Sequence, residues 1–122
     1  MCLETVTYRN SKPLKSDERW AWKGLLEEAF GGYTGYFYGG PYRPGVWLKA
    51  TGGSLYTNTA PETVYPAGFH CLATKRAAEK GFTPEQIVRV RIRKICAIGI
   101  DGGSKTFVAK EMYIPKPEGA RT

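Results

Sequence analysis

Apolar and polar side chains alternate most regularly in residues 87–100, whose sequence is IVRVRIRKICAIGI. From residue 88 to Arg93, apolar residues and arginines take turns. A period of two is typical of a β-strand with one buried face and one open face. The DGGS sequence at 101–104 is a strong turn signal. We therefore expect residues 106–114 to return as the second strand of an antiparallel hairpin.

Shorter patterns predict further strands in the first two thirds of the chain. A strand at 46–50 and a short strand at 54–57 flank the Gly52-Gly53 turn. Residues 65–72 form a compact apolar segment that a turn interrupts. The N-terminal residues around Val6 either pair as an edge strand or stay loose.

Residues 16–30 have two interpretations. Ser16 is a suitable N-cap, apolar residues repeat at helical spacing, and Gly31-Gly32 would end a helix, so we favour a helix here. Gly24 lies in the middle and costs about 1 kcal/mol relative to alanine in a helix. A strand at 20–25 is therefore the competing interpretation.

A shorter helix is predicted after the N-cap Thr74, with Gly81 at its end. Residues 83–86 suit another capped turn, although we expect them to lead straight into the long strand. The glycine-, tyrosine- and proline-rich residues 31–45 predict a long loop or irregular hairpin. This segment either packs back on the core or closes over a ligand.

These elements predict an α+β fold, in which a curved antiparallel sheet carries one or two short helices. A length of 122 residues supports one core, so we expect a single domain over 1–122 with a frayed tail at 116–122. With 42% apolar and 13% aromatic residues, the composition is that of a globular chain.

Charge and cysteine content limit the kinds of partner and binding site to expect. Eighteen Lys and Arg against eleven Asp and Glu give a net charge of +7, which favours a nucleotide, nucleic acid, anionic lipid or acidic protein as partner. Three cysteines without a CxxC pair, and a single histidine, argue against a metal site. We expect no cofactor. Sparse free thiols, a polar N-terminus and no long apolar run predict a cytoplasmic chain without a membrane span.

The arginine row at Arg89, Arg91 and Arg93 is the main candidate for binding. Alternate side chains on a strand lie on one face, roughly 6–7 Å apart, which suits successive phosphates. Guanidinium binds phosphate oxygens through two hydrogen bonds and stays charged. Glu111, on the expected partner strand, could neutralise one arginine. The alternative is a solvated basic face that prevents edge pairing.

Further candidates for ligand contacts come from the basic and aromatic residues upstream. They are Arg43, Lys49, Tyr65, Phe69 and His70. A lone histidine is more often a structural hydrogen bonder than a ligand contact. The glycine pairs lack phosphate-loop spacing, and no serine lies in a nucleophile-elbow sequence. We therefore expect no catalytic residue, and the chain is interpreted as a binder rather than an enzyme.

The order of five short segments resembles a group of short phage-encoded proteins, many of which also begin with Met-Cys-Leu. The segments are GVWLKA (45–50), YPAGFH (65–70), KRAA (75–78), VRVRI (88–92) and VAKEMYIPK (108–116). This resemblance implies a strand at 20–25. In size and charge the chain is also similar to phage proteins of the Thoeris anti-defence type. That similarity implies a homo-oligomer in the host cytoplasm that sequesters a cyclic nucleotide or cyclic ADP-ribose signal without catalysis.

Three other functions stay open at this stage. A basic sheet face with aromatic residues suits nucleic-acid binding, although the exposed strand positions here are arginines. A basic phage protein could inhibit an acidic host protein. An ADP-ribosyl-type enzyme, with Glu111 as its carboxylate, is the least favoured.

Overall fold

A computed structural model describes residues 3–9, 18–27, 33–35, 42–50, 53–57 and 62–116 of the chain. This part of the chain is mostly antiparallel β-sheet with one α-helix and one 3-10 helix. The strands are β1 (Thr5–Arg9), β2 (Arg19–Glu27), β3 (Tyr33–Gly35), β4 (Trp47–Lys49), β5 (Ser54–Tyr56), β6 (Val64–Pro66), β7 (Phe69–Leu72), β8 (Ile87–Asp101) and β9 (Ser104–Tyr113). The helix α1 spans Lys75–Glu79, and the 3-10 helix spans Pro84–Gln86.

The β8–β9 hairpin is the centre of the sheet. On the side away from β9, β8 pairs with β2 over its first half and with β1 over its second half. On the side away from β8, β9 pairs first with β7 and then, towards its C-terminal end, with β4. A bridge between Trp22 of β2 and Leu72 of β7 completes a closed circuit of β8, β2, β7 and β9. The β5–β6 hairpin forms a separate two-stranded sheet.

Two apolar clusters form the core. The main cluster contains residues from β2, β3, β7, β8 and β9, namely Ala21, Leu25, Tyr33, Cys71, Val90, Ile92, Ile95, Phe107, Ala109 and Met112, together with Ile114. The second cluster joins the N-terminal segment and the β5–β6 hairpin to the central hairpin through Leu3, Tyr65, Cys96, Ala97 and Val108. The second half of β8 therefore contributes to both clusters.

The alternation predicted for β8 is confirmed in its first half. Val90 and Ile92 are fully buried, while the arginines between and beside them reach solvent. Lys94 then adopts a left-handed backbone with φ of 59°, and the β8–β9 register shifts between Ile95 and Ala97. Beyond this irregularity the strand has apolar neighbours on both faces, which a simple period of two does not predict.

The helix favoured at 16–30 is wrong, since the described residues of this segment form β2. Ala21 faces the main cluster, whereas its neighbour Trp20 is exposed, as expected of a strand. Six pairs with β8 supply the backbone hydrogen bonds that decide the structure over local helical preference. Glycine at position 24 lets the Phe82 ring pack against β2, because a β-carbon there would overlap this ring.

Several local predictions are confirmed. Thr74 caps α1 by accepting a hydrogen bond from the Ala77 amide at 3.1 Å. The DGGS turn is a two-residue loop in which Gly102 and Gly103 have φ of 60° and 78°. These positive angles match the twist of a hairpin and favour glycine. The N-terminal strand exists as β1.

The structure describes two other predicted segments, one of them in part. The capped turn at 83–86 is present as the 3-10 helix Pro84–Gln86 with Thr83 as N-cap, and β8 begins directly after it at Ile87. Within 31–45, the structure describes β3 and a bridge between Tyr33 and Tyr42, so this part is hairpin-like. The rest of the loop up to residue 41, and the tail at 117–122, lie outside the described residues.

No helix in the described part of the chain combines the length and the apolar character needed to cross a membrane.

Candidate anionic-ligand surface

Strand pairing places tryptophans beside the arginine row on the outer face of the sheet. Trp20 lies opposite Arg91 and Trp22 opposite Arg89 in the β2–β8 pair. On the other side of β8, Tyr113 lies opposite Arg91, and Trp47 of β4 lies opposite Tyr113. We call this surface the arginine–tryptophan face, comprising Trp20, Trp22, Trp47, Arg89, Arg91, Arg93 and Tyr113. It contains all three tryptophans of the chain.

Each arginine of the row stacks on an indole ring. The Arg89 guanidinium carbon lies 4.2 Å from the centre of the Trp20 ring and 5.8 Å from that of Trp22. The guanidinium of Arg91 lies 5.6 Å from Trp20. These distances are within the range of cation–π attraction, so the guanidinium groups are held against the sheet rather than free in solvent.

The second stacking group lies on β9 and β4. The Arg93 guanidinium is 3.8 Å from the centre of the Trp47 ring. Trp47 in turn packs against Tyr113 with ring centres 5.5 Å apart. Arg93 therefore has one flat side on an aromatic ring, which leaves the planar edge of its guanidinium for hydrogen bonds.

Glu111 lies between two cations next to this stack. Its carboxylate accepts from Arg93 Nε at 2.6 Å and from Lys94 Nζ at 2.8 Å, while its side chain is only 5% exposed. The left-handed backbone at Lys94 lets two consecutive residues of a strand reach one carboxylate. Hydrogen bonds from Lys94 and from Arg93 lower the pKa of Glu111 against the opposing effect of burial. The expectation that Glu111 neutralises one arginine is confirmed.

The remaining charges of the face are distributed unevenly. Glu18 forms a salt bridge with Arg91. Arg89 has no salt bridge within the described part of the chain, and its charge is met only by the two indoles. The exposed Lys49 pairs through its backbone with Glu111, so it lies at the border of the face. Cations therefore outnumber carboxylates on this surface.

Tyr65 lies in the second cluster, and His70 is buried beside it. The Tyr65 hydroxyl lies 3.0 Å from His70 Nε2 and accepts from the Leu3 amide at 2.9 Å. His70 Nδ1 lies 3.2 Å from the Gly68 carbonyl oxygen. Because a carbonyl only accepts, this geometry assigns the proton to Nδ1 and lets Tyr65 donate to Nε2. Burial, together with the nearby charge of Lys23, lowers the pKa of His70 to about 4.

The other predicted contact residues are spread over the molecule. Phe69 packs on the main cluster and meets Tyr42 edge to face, with ring centres 5.8 Å apart. Arg43 is exposed, three residues before the exposed Val46. The structure thus brings Lys49 near the arginine row, but it buries His70 and Tyr65 and leaves Phe69 half-buried against the main cluster.

The two described cysteines are buried and free of disulfides. Cys71 lies in the main cluster with its sulfur 3.9 Å from that of Met112, and burial raises its pKa to about 11. Burial also raises the pKa of Cys96. Cys71 packs in the main cluster, whereas the His70 ring contacts Tyr65 of the second cluster, in line with the expectation that they face apart.

Lys23 is an unusual inward-facing cation on β2. It lies opposite Val88, and its amine donates to the His70 carbonyl oxygen at 2.7 Å. Burial lowers the pKa of this amine. Its charge contributes to keeping His70 neutral, so it acts on the interior rather than on the arginine–tryptophan face.

Sequence reasoning found the arginines of the face but missed its tryptophans. Trp20 and Trp22 alternate with Ala21 and Lys23 at the same period of two as the arginine row, and this was the available signal. A helical interpretation of the segment hides it. Trp47 has no comparable signal, because its place beside Arg93 depends on the pairing of β4 with β9.

Among the described residues, no three His, Cys, Asp or Glu side chains are grouped as a metal site would require. Comparison of the chain with protein-family models, with curated proteins and with solved structures found no match.

Proposed function

We propose that this protein binds, without catalysis, an anionic ligand that carries both phosphate and an aromatic base. The observation that supports this function is the stacking of Arg89, Arg91 and Arg93 on indole rings across one sheet face. A row of arginines alone would equally suit a solvated surface. Arginines interleaved with exposed aromatic rings offer both kinds of contact that a nucleotide needs.

The stacked arrangement also lowers the entropy lost on binding. A free arginine side chain loses about 2 kcal/mol of rotamer freedom when it is fixed. Here the Trp20 and Trp47 rings already restrict the guanidinium groups of Arg89 and Arg93 before a ligand arrives. Hydrogen bonds from these groups to phosphate then form with less ordering, and a base can stack on the exposed Trp20.

The titratable groups in the described structure support binding rather than chemistry. His70 uses its nitrogens in the Tyr65–Gly68 network, and its low pKa keeps it neutral. The raised pKa of Cys71 opposes formation of a thiolate nucleophile. Glu111 has the lowered pKa of a paired carboxylate, whereas a general acid needs a raised one.

The specific form of this function that we propose is capture of a cyclic nucleotide or cyclic ADP-ribose signal in the cytoplasm of a phage-infected host. It rests on the resemblance to phage anti-defence proteins, which also suggests a homo-oligomer. Binding to nucleic acid is the second candidate, and the spread of three tryptophans over the face favours it.

Titration calorimetry at low salt tests the proposed function. The ligands are cyclic mononucleotides, cyclic dinucleotides, cyclic ADP-ribose isomers and a short single-stranded oligonucleotide. We expect at least one to bind and Arg89→Gln to weaken it about tenfold, as for loss of one charged hydrogen bond. Lys110→Gln is the matched control, because it removes the same charge from a lysine that donates to the Ala67 carbonyl elsewhere. No heat with any ligand would exclude the proposal.

A further inference from the structure

The aromatic platforms of the arginine–tryptophan face lie far apart. Trp20, Arg91, Tyr113 and Trp47 form one row across β2, β8, β9 and β4. Neighbouring strands are about 4.8 Å apart, so the backbones of Trp20 and Trp47 are separated by roughly 14 Å. One base can stack on one of these rings but cannot reach both.

The arginines extend the face in the second direction. Arg89 and Arg93 are four residues apart on β8. At about 3.3 Å per residue, their backbones are roughly 13 Å apart. The spacing between successive arginines suits successive phosphates, so the row is longer than one phosphate group requires.

The face is also open where it is most aromatic. Trp20 is 43% exposed, and the Arg91 side chain is 43% exposed. Sites for small molecules are concave and typically enclose about 70–90% of the ligand surface. A polymer needs no such enclosure, because it adds one modest stacking or phosphate contact after another along its length.

The charges and aromatic rings of the face indicate which class of polymer it binds. The cations Lys49, Arg89, Arg91, Arg93 and Lys94 face two carboxylates, Glu18 and Glu111. A duplex keeps its bases stacked inside, so the indole rings would have no partner on it. An acidic protein supplies carboxylates but no bases. Only a single strand presents phosphates and unstacked bases together.

We infer that the ligand of the arginine–tryptophan face is single-stranded nucleic acid, with several nucleotides bound between Trp20 and Trp47. This inference rests on the proposed binding of phosphate together with an aromatic base, and for this face it takes the second candidate, nucleic acid, in place of a cyclic nucleotide. The strand lies across the sheet with its bases stacked on the guanidinium–indole pairs and its phosphates on the guanidinium edges. Recognition is largely independent of sequence, because stacking and phosphate contacts carry the binding.

Affinity as a function of ligand length tests the inference. Thymidine monophosphate, oligo-dT of about four and about eight nucleotides, a duplex of similar length and poly-glutamate are titrated at low salt. Labelled ligands are followed by anisotropy and the rest by tryptophan fluorescence. We expect the longer oligo-dT to bind at least ten times more tightly than the mononucleotide and more tightly than the duplex.

Different failures have different meanings. If thymidine monophosphate or a cyclic nucleotide binds as tightly as oligo-dT, the inference is wrong while the proposed function stands. Equal binding of the duplex or of poly-glutamate overturns the inference, since charge alone then explains the affinity. No binding of any nucleotide, cyclic or linear, overturns both.

Two tryptophan variants test the geometry directly. Trp20→Leu and Trp47→Leu should each weaken binding of the longer oligo-dT about tenfold, as expected for loss of one stacked base. The loss should be the same with the label at either end of the oligo-dT, which shows that the protein contacts the bases and not the label. Lys110→Gln should change the affinity little. Retained affinity in both tryptophan variants, with unchanged unfolding midpoints, contradicts the inference.

Discussion

The low pKa of the single residue His70 should make the stability of the fold depend on pH. Its pKa is lowered to about 4 from 6.5, first by burial and then by the charge of Lys23. Below pH 6.5 the unfolded chain takes up a proton that the folded chain refuses until about pH 4. Stability should therefore be complete above pH 6.5 and fall by about 3 kcal/mol as the pH drops through this window. Urea unfolding across this pH range measures the loss.

The variant His70→Gln separates this effect from the titration of carboxylates. Glutamine keeps a polar side chain beside Tyr65 but cannot titrate. Its stability should lie below that of the natural chain at pH 7 yet depend less on pH between 6.5 and 4. Tyr65→Phe, which leaves the imidazole in place, is the control and should retain the steeper dependence. Equal slopes for the natural chain and His70→Gln would show that His70 titrates normally.

The left-handed backbone at Lys94 leads to a second prediction about a single residue. This conformation, with φ of 59°, costs about 1 kcal/mol or more for any residue with a β-carbon and little for glycine. Lys94→Gly and Lys94→Ala both lose the bond to Glu111. The glycine variant should nevertheless be about 1 kcal/mol more stable, as judged from the midpoints of urea unfolding.

The same pair of substitutions at Lys105 supplies the comparison. Lys105 is exposed on β9 and has no positive φ. There alanine should be the more stable variant by about 0.5–1 kcal/mol, because glycine gains more freedom in the unfolded chain. If alanine is preferred at both positions, the left-handed backbone at Lys94 is incorrect.

At the scale of elements, the close contact of β1 with β8 makes its own prediction. A β-carbon at Gly99 would overlap the Thr5 carbonyl oxygen, and it would lie 2.9 Å from Leu3 Cδ1. Gly99→Ala should therefore push β1 away and cost about 1–3 kcal/mol, as overpacking does. Amide hydrogen exchange should speed up in β1 ahead of the rest of the sheet.

Gly81→Ala is the control for this prediction. A β-carbon at Gly81 meets nothing within 4 Å, so the change should stay within about 0.5 kcal/mol. Unchanged exchange in β1 of the Gly99→Ala protein would mean that β1 does not pack on this glycine.

Elements were predictable from sequence where local chemistry alone decides them. The alternation around Val90, the capping of α1 by Thr74 and the glycine pair of the β8–β9 turn act within a few residues. The strand β2 was not predictable in this way, because its spacing of apolar residues also fits a helix. Its pairing with β8, more than 60 residues later in the chain, decides the matter.

The residues of the candidate site were likewise predictable only where local sequence decides their position. The arginine row is local to one strand, so sequence alone indicates it. The rings that distinguish it from a solvated face come from β2 and β4, and register alone brings Trp20 and Trp47 to their arginines. His70 and Tyr65 were attractive candidates by residue type, but both are buried, and this burial depends on long-range packing that the sequence pattern does not reveal.

For the whole molecule, the net charge of +7 matters only as far as it is concentrated on the binding face. Each single-strand phosphate that a cation neutralises contributes about −0.7 to the slope of log affinity against log salt. The five cations of this surface exceed its two carboxylates by three, so neutralisation of about three phosphates should give a slope of about −2 for oligo-dT. Arg89→Gln should reduce its magnitude by about 0.7, while Lys110→Gln, with the same net charge, should leave it unchanged. Equal slopes for the two variants would show that overall charge, and not the arginine–tryptophan face, attracts the ligand.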